Sequence, residues 1–188
     1  MSRRLSSLTP AELTEAQRVV YDGITGGDRL KGTQHFPVVA DDGSLNGPFG
    51  IMLYAPGIGD LLQQLGAAIR YRTGLTARIR EIGILLVAAA LDSEFEWWAH
   101  ERVARAVGFS DAELEQLSHG TFTSADAAEQ AAADLCGVLL TAGAVSDEDY
   151  ARYAEVLGTE AIIELTTLVG YYRTLAQLMS VFDTGVPE

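Results

Sequence analysis

The stretch ARIREIGILLVAAALDSEFEWWAHERVARAVG, residues 77–108, decides how the chain folds. Its first part contains ten consecutive residues without a polar side chain, Ile82 to Leu91. Its second part alternates charged and apolar residues at helical spacing and stops at Gly108. A bilayer-spanning helix needs about 20 apolar residues, so the first part predicts a buried core helix. Thr76 is placed to cap it, and Ser93-Glu94-Phe95-Glu96 reads as a capping box that opens the next helix.

Working outward, the chain reads as helices joined by short turns. Thr9-Pro10-Ala11-Glu12 is a capping box with proline at the first helical position, predicting a helix to about Thr25. Residues 26–47 are rich in glycine and turn formers, and a loop of that length is often functional or a subunit contact. PFGIMLYA predicts a short helix, and PGIGDLLQQLGAAIRYRTG a longer one stopped by Gly74. Ser110-Asp111-Ala112-Glu113 is a third capping box, and further helices are expected near 125–142, 147–157 and 159–182. Strand signals are almost absent. The expectation is an all-α, single-domain helical bundle over 1–188. Within it lie an N-terminal helix and long loop (1–45), a motif region (46–120) and C-terminal helices (121–188). The last helix is apolar on more than one face, as expected of a helix buried in a core or between subunits of a homo-oligomer.

Apolar residues make up 48% and charged residues 21% of the chain, an ordinary globular composition. No secretory signal is evident, so a cytoplasmic location is expected. The net charge of −13 argues against nucleic acid or an anionic membrane as partner; a small-molecule substrate is expected instead. An anionic substrate would need a local basic pocket. The single cysteine, Cys136, excludes an intrachain disulfide and reads as a small buried side chain.

Three residues stand out as candidates for chemistry. Glu96 and His100 are four apart, within reach on a helix, and His is the side chain best suited to proton transfer near neutrality. Glu96 is also the N3 residue of the capping box, so its side chain has an alternative use at the Ser93 N–H. Glu81 stands at the mouth of the most apolar helix, where a carboxylate is costly unless paired or used. Pairing with Arg78, three residues earlier, is its simplest structural use. Only a helix crossing or another subunit would bring Glu81 to His100. Arg70, Arg72, Arg78 and Arg80 cluster within eleven residues, and arginine grips carboxylates through two parallel hydrogen bonds. Of these, Arg70, Arg72 and Arg80 are candidate substrate contacts, with Phe49, Trp97 and Trp98 as candidate pocket walls. No metal-ligand spacing, phosphate loop or dinucleotide fingerprint is present, so catalysis without a cofactor or metal is expected.

LNGPFGIMLYAPGIGDLLQQLG (45–66), LTARIREIGILLVAAALDSEFEWWAHERVARAVGFSDAELEQL (75–117) and LVGYYRTLAQLMSVF (168–182) together resemble the carboxymuconolactone decarboxylase family. The most specific part is Glu81, the twelve-residue step to Ser93, then Glu96 and His100. The resemblance implies an all-helical oligomer of the alkyl hydroperoxidase D-like type. It also implies decarboxylation of a carboxylated unsaturated γ-lactone in aromatic catabolism, with His100, Glu96 and Glu81 as the acid/base group. The thiol peroxidase branch of the superfamily carries Cys-x-x-Cys where this chain has Ser93 and Glu96, so the resemblance points to its cysteine-free branch. A related proton-transfer reaction, such as an isomerisation or lactone opening, would use the same residues. A thiol peroxidase and a non-catalytic, ligand-binding helical oligomer are the alternatives from other classes.

Overall fold

The computed structural model describes residues 4–31, 33–141 and 144–187. The chain divides into two compact units, Met1–Arg72 with Gln177–Glu188, and Thr73–Ala176. The described residues form helices and no strand; one isolated antiparallel bridge pairs Val39 with Leu45. None of these helices is long and apolar enough to cross a membrane.

The first unit contains α1 (Glu15–Thr25), α2 (Pro48–Met52) and α3 (Pro56–Tyr71). The predicted first helix is corrected here. Thr9 and Glu12 do form their box, the Glu12 carboxylate accepting from the Thr9 N–H at 2.8 Å, but they close only a 3-10 turn, Pro10–Glu12. Leu13 is extended, and α1 starts afresh from a second box made by Thr14 and Gln17. The 26–47 loop turns at Gly43, in the left-handed region at φ 84°, and the Tyr21 hydroxyl of α1 donates to the Gly43 carbonyl at 2.9 Å. α3 packs so closely on α2 that a side chain at Gly59 would lie 2.1 Å from the Met52 carbonyl oxygen.

The second unit is organised around α4 (Ala77–Ala90). Thr76 caps it as expected, its Oγ1 accepting from the Ile79 N–H at 3.2 Å. Ile82, Ile84, Leu85 and Val87 are wholly buried on different sides of the helix, because neighbours surround it. α5 (Glu94–Ala106) and α6 (Asp111–Ser118) follow, then α7 (Ala127–Thr141) and α8 (Asp147–Phe182), whose last residues belong to the first unit. α8 is broken at Gly158 (φ 79°), the boundary predicted between 147–157 and 159–182. α4 and α7 run parallel: Arg78 meets Glu129 near their starts, and Gly83 lies against Cys136 further along.

Arg78 holds the starts of three helices together. Its Nε donates to Glu129 of α7 at 2.5 Å, its Nη2 to Glu113 of α6 at 2.6 Å, and its guanidinium covers the Phe109 ring at 3.9 Å. The simpler pairing of Arg78 with Glu81 does not occur. Glu81 turns to the other side of α4, where α5 crosses.

The turn between α4 and α5 is a Schellman closure. The Ser93 N–H donates to the Ala88 carbonyl at 2.9 Å and the Asp92 N–H to Ala89 at 3.3 Å, with Asp92 in the left-handed conformation at φ 48°. Gly108 and Gly120 close α5 and α6 in the same way. The predicted Ser93–Glu96 capping box is absent for this reason: Ser93 has no side-chain cap bond, and its N–H is spent on α4.

Two outcomes follow for stability. Asp92→Gly should raise unfolding free energy by about 0.5–1 kcal/mol and Asp92→Val lower it by roughly 1–2 kcal/mol, measured by urea denaturation, because a left-handed non-glycine residue is strained. In acid, Glu113 is held down at about 2, first by the Ser110 N–H and hydroxyl and then by Arg78. Glu129 is lowered too, chiefly by Arg78. Depressed carboxyls stabilise the fold above their unfolded pKa and lose that contribution as pH falls through the folded one. Stability should therefore drop between pH 4.5 and about 2, and Arg78→Met should flatten the slope of denaturation midpoint against pH in that window.

Candidate active site

His100 sits one turn and a half into α5, on the stripe Phe95, Glu96, Ala99, His100, Val103, Ala104 that faces the core. The crossing of α4 and α5 places its Nδ1 2.7 Å from Glu81 Oε2, within one chain and without help from another subunit. On the opposite side of the ring, Nε2 lies 3.5 Å from Glu96 Oε2. All three are buried, at 1% exposure for Glu81 and 3% for Glu96 and His100. The Glu96 side chain thus turns to the imidazole instead of back to Ser93.

The two contacts differ in kind. With Glu81 ionised its oxygen can only accept, which puts a ring proton on Nδ1 and leaves Nε2 as the nitrogen that gains and loses one. The 3.5 Å separation from Glu96 is longer than a hydrogen bond, so Glu96 acts on Nε2 mainly through its charge. Glu81 Oε1 is buried with no hydrogen-bond partner among the described residues. A half-satisfied buried carboxylate is costly, and its one short bond goes to the imidazole. The carboxylates address opposite ring nitrogens and so diverge from any common point. Among the described residues, no cluster of three or more His, Cys, Asp and Glu is arranged to hold a metal ion.

Tyr172 from α8 packs on the imidazole, its ring 5.3 Å from that of His100 at 90°, and Tyr171 meets Tyr172 edge-on at 5.3 Å. Both tyrosines are buried. Neither tyrosine is among the candidates from sequence; the only signal there is two adjacent aromatic residues on an already apolar helix.

The other candidates are placed as follows. Arg80 is half-buried on α4; its Nη1 donates to the Leu75 carbonyl at 3.4 Å, and its Nε is buried without a hydrogen-bond partner among the described residues. Trp97 and Trp98 are half-buried on α5, with Trp98 against Phe95 at 5.7 Å and the Arg102 guanidinium over it at 4.4 Å. Phe49, Arg70 and Arg72 lie in the first unit. There Phe49 is buried beneath the Arg29 guanidinium, 5.0 Å from its ring; Arg70 is half-buried near the end of α3, and Arg72 caps it in the open. Cys136 is wholly buried on α7, and burial pushes its thiol up to about 12.

The described residues thus form an all-helical fold with a buried carboxylate–imidazole–carboxylate cluster, groups whose chemistry is proton transfer. Residues 56–136 match the model of the Carboxymuconolactone decarboxylase family. The match is to the family that the sequence resembles, and it covers the segment that holds Glu81, Glu96 and His100. No curated protein matches the chain. Its fold is similar to that of the debrominase Bmp8. The cysteine-to-alanine variant of that protein in complex with 2,3,4-tribromopyrrole gives a TM-score of 0.72 at 15% identity, covering 100% of this chain and 93% of that one. The apo form gives 0.70 at 15% identity, covering 96% and 90%. At that identity the likeness concerns the fold alone.

The buried pair can be tested without any substrate. Glu81→Ala should destabilise the protein by about 3–5 kcal/mol by removing the buried acceptor of the Nδ1 proton. A double-mutant cycle of Glu81→Gln with His100→Gln should return a coupling of roughly 1–3 kcal/mol in urea denaturation; additivity would show that the 2.7 Å contact carries no energy.

Proposed function

We propose that this protein is a cofactor-independent acid/base enzyme acting on a small unsaturated acid or carboxylated lactone, with decarboxylation as its reaction. The observation that carries this reading is the buried His100 held between Glu81 and Glu96. The family match over the same segment supports it.

A carboxylate leaves as CO2 when the electron pair of the broken C–C bond can pass into a conjugated carbonyl. The dienolate so formed takes a proton at carbon. In this reading His100 gives that proton from Nε2 and recovers one from water, so the balance is one C–C bond broken and one C–H bond formed. Glu81 holds the ring by Nδ1, and Glu96 offsets the charge of the protonated ring. Arg80 holds a substrate oxygen, since its guanidinium retains a buried donor without a partner among the described residues. Trp97 and Trp98 form an aromatic wall.

Thiol-dependent peroxide chemistry is not favoured. The positions of the redox pair hold Ser93 and Glu96, and the only cysteine is wholly buried with a raised pKa.

CO2 release should be measured across a panel of γ-lactone carboxylic acids and β,γ-unsaturated acids. At least one should turn over, and His100→Gln should lower kcat about 10²–10⁴-fold in protein that circular dichroism shows to be folded. Undiminished turnover in that variant removes His100 from the mechanism, and failure of the whole panel removes decarboxylation.

A further inference from the structure

We propose that the second unit carries a separate pocket for a small organic ammonium ion, at the end where α4, α6 and α7 finish. The cavity has a volume of about 370 Å³, within the size range of small-molecule sites. Leu86, Phe122 and Ala133 line its buried part, and Ser118, His119 and Thr141 stand at its rim. None of these belongs to the Glu81–His100–Glu96 cluster, so the inference is independent of the proposed reaction.

The chemistry of the ligand follows from where the rim hydrogens point. The Ser118 hydroxyl donates to the Glu115 carbonyl at 2.8 Å, and the Thr141 hydroxyl donates to the Gly137 carbonyl at 2.8 Å. His119 Nδ1 lies 2.8 Å from the Glu115 carbonyl, which only accepts; the ring proton is therefore on Nδ1, and neutral His119 offers a lone pair at Nε2. Asp134 also lines the cavity. Its oxygens take one hydrogen bond each, from Gln130 at 2.7 Å and Arg152 at 2.9 Å, and a carboxylate oxygen has room for a second. The polar side chains of the lining have thus committed their hydrogens elsewhere and offer acceptors to the cavity.

Helix direction adds to this. The C-terminal turns of α4, α6 and α7 all contribute to the lining, and a helix C-terminus carries partial negative charge. No lysine or arginine is among the described lining residues, and the chain as a whole is at −13. The acceptors and the negative helix ends disfavour an anion, and Arg152 is engaged by Asp134. A species with an apolar body and several N–H donors fits, and a primary ammonium supplies three.

Gly137 keeps the cavity open. Glycine in mid-helix is unfavourable, and here a Cβ would meet nothing within 4 Å. A side chain added at this position enters the cavity without meeting backbone.

Isothermal titration calorimetry of the full chain at pH 7 and low salt, with benzylammonium, benzyl alcohol and benzoate as probes, tests the assignment. Benzylammonium should bind saturably at one site, at least tenfold more tightly than the alcohol, with no binding of benzoate. Gly137→Leu should weaken benzylammonium at least tenfold while keeping the circular dichroism spectrum and melting temperature; Ala90→Phe, on the exposed rim, should do the same by covering the mouth. No saturable binding of benzylammonium, benzoate binding as well as it, or unchanged affinity in both folded variants overturns the proposal.

Discussion

The candidate site depends on one backbone hydrogen bond, the donation from Ser93 N–H to the Ala88 carbonyl. By closing α4 in a Schellman motif, it consumes the donor that a capping box at the start of α5 would have offered to Glu96. Glu96 is then released from the helix end and turns along its own helix to His100, four residues on. The same closure needs Asp92 in a left-handed conformation, which reverses the chain tightly enough for α5 to cross α4. That crossing brings His100 Nδ1 to Glu81. A three-residue turn therefore sets both neighbours of the imidazole, one by geometry and one by removing its competitor.

Much of this was legible in the sequence, and the part that was not has a common cause. Local signals gave α4 with its Thr76 cap, the Ser110 box of α6, and the break at Gly158, since each rests on contacts within a few residues. Glu96 and His100 were recognisable because i and i+4 are adjacent on a helix whatever surrounds it. The Glu81–His100 contact spans nineteen positions and depends on a crossing that periodicity does not specify. Arg78 was misread for the same reason: its nearest acid in sequence was Glu81, but acids from α6 and α7 lie closer in space. The Thr9 box failed differently. It formed as read, yet Thr14 and Gln17 offered a second start five residues later, and nothing local ranks two starts of equal quality.

Fold and chemistry separate clearly here. The chain shares its fold with a debrominase at 15% identity, a level at which architecture persists and reactions do not transfer. The residues decide the chemistry. A cysteine pair at the Ser93 and Glu96 positions would support electron transfer through thiolates, whereas serine and a carboxylate beside histidine support only the movement of protons. Cys136 does not alter this, since burial holds it as an unreactive thiol on another helix.

The charge of the cluster bears on the proposed reaction. With the imidazole protonated, Glu81, His100 and Glu96 together carry one net negative charge in a buried setting, inside a chain already at −13. A substrate carboxylate entering such a site is held at an electrostatic disadvantage that a nearby guanidinium offsets only where it makes direct contact. On the decarboxylase reading that disadvantage falls as the reaction proceeds, because the charge leaves the carboxylate and spreads over a conjugated carbonyl farther away. The repulsion then acts on the ground state more than on the transition state, and proton delivery from Nε2 removes what remains. An isomerase or lactone-opening reaction on the same scaffold would keep its carboxylate throughout, so the repulsion would not be relieved along its path. On that reading, the pairing of acids that looks wasteful for stability is matched to a reaction in which an anionic group is lost.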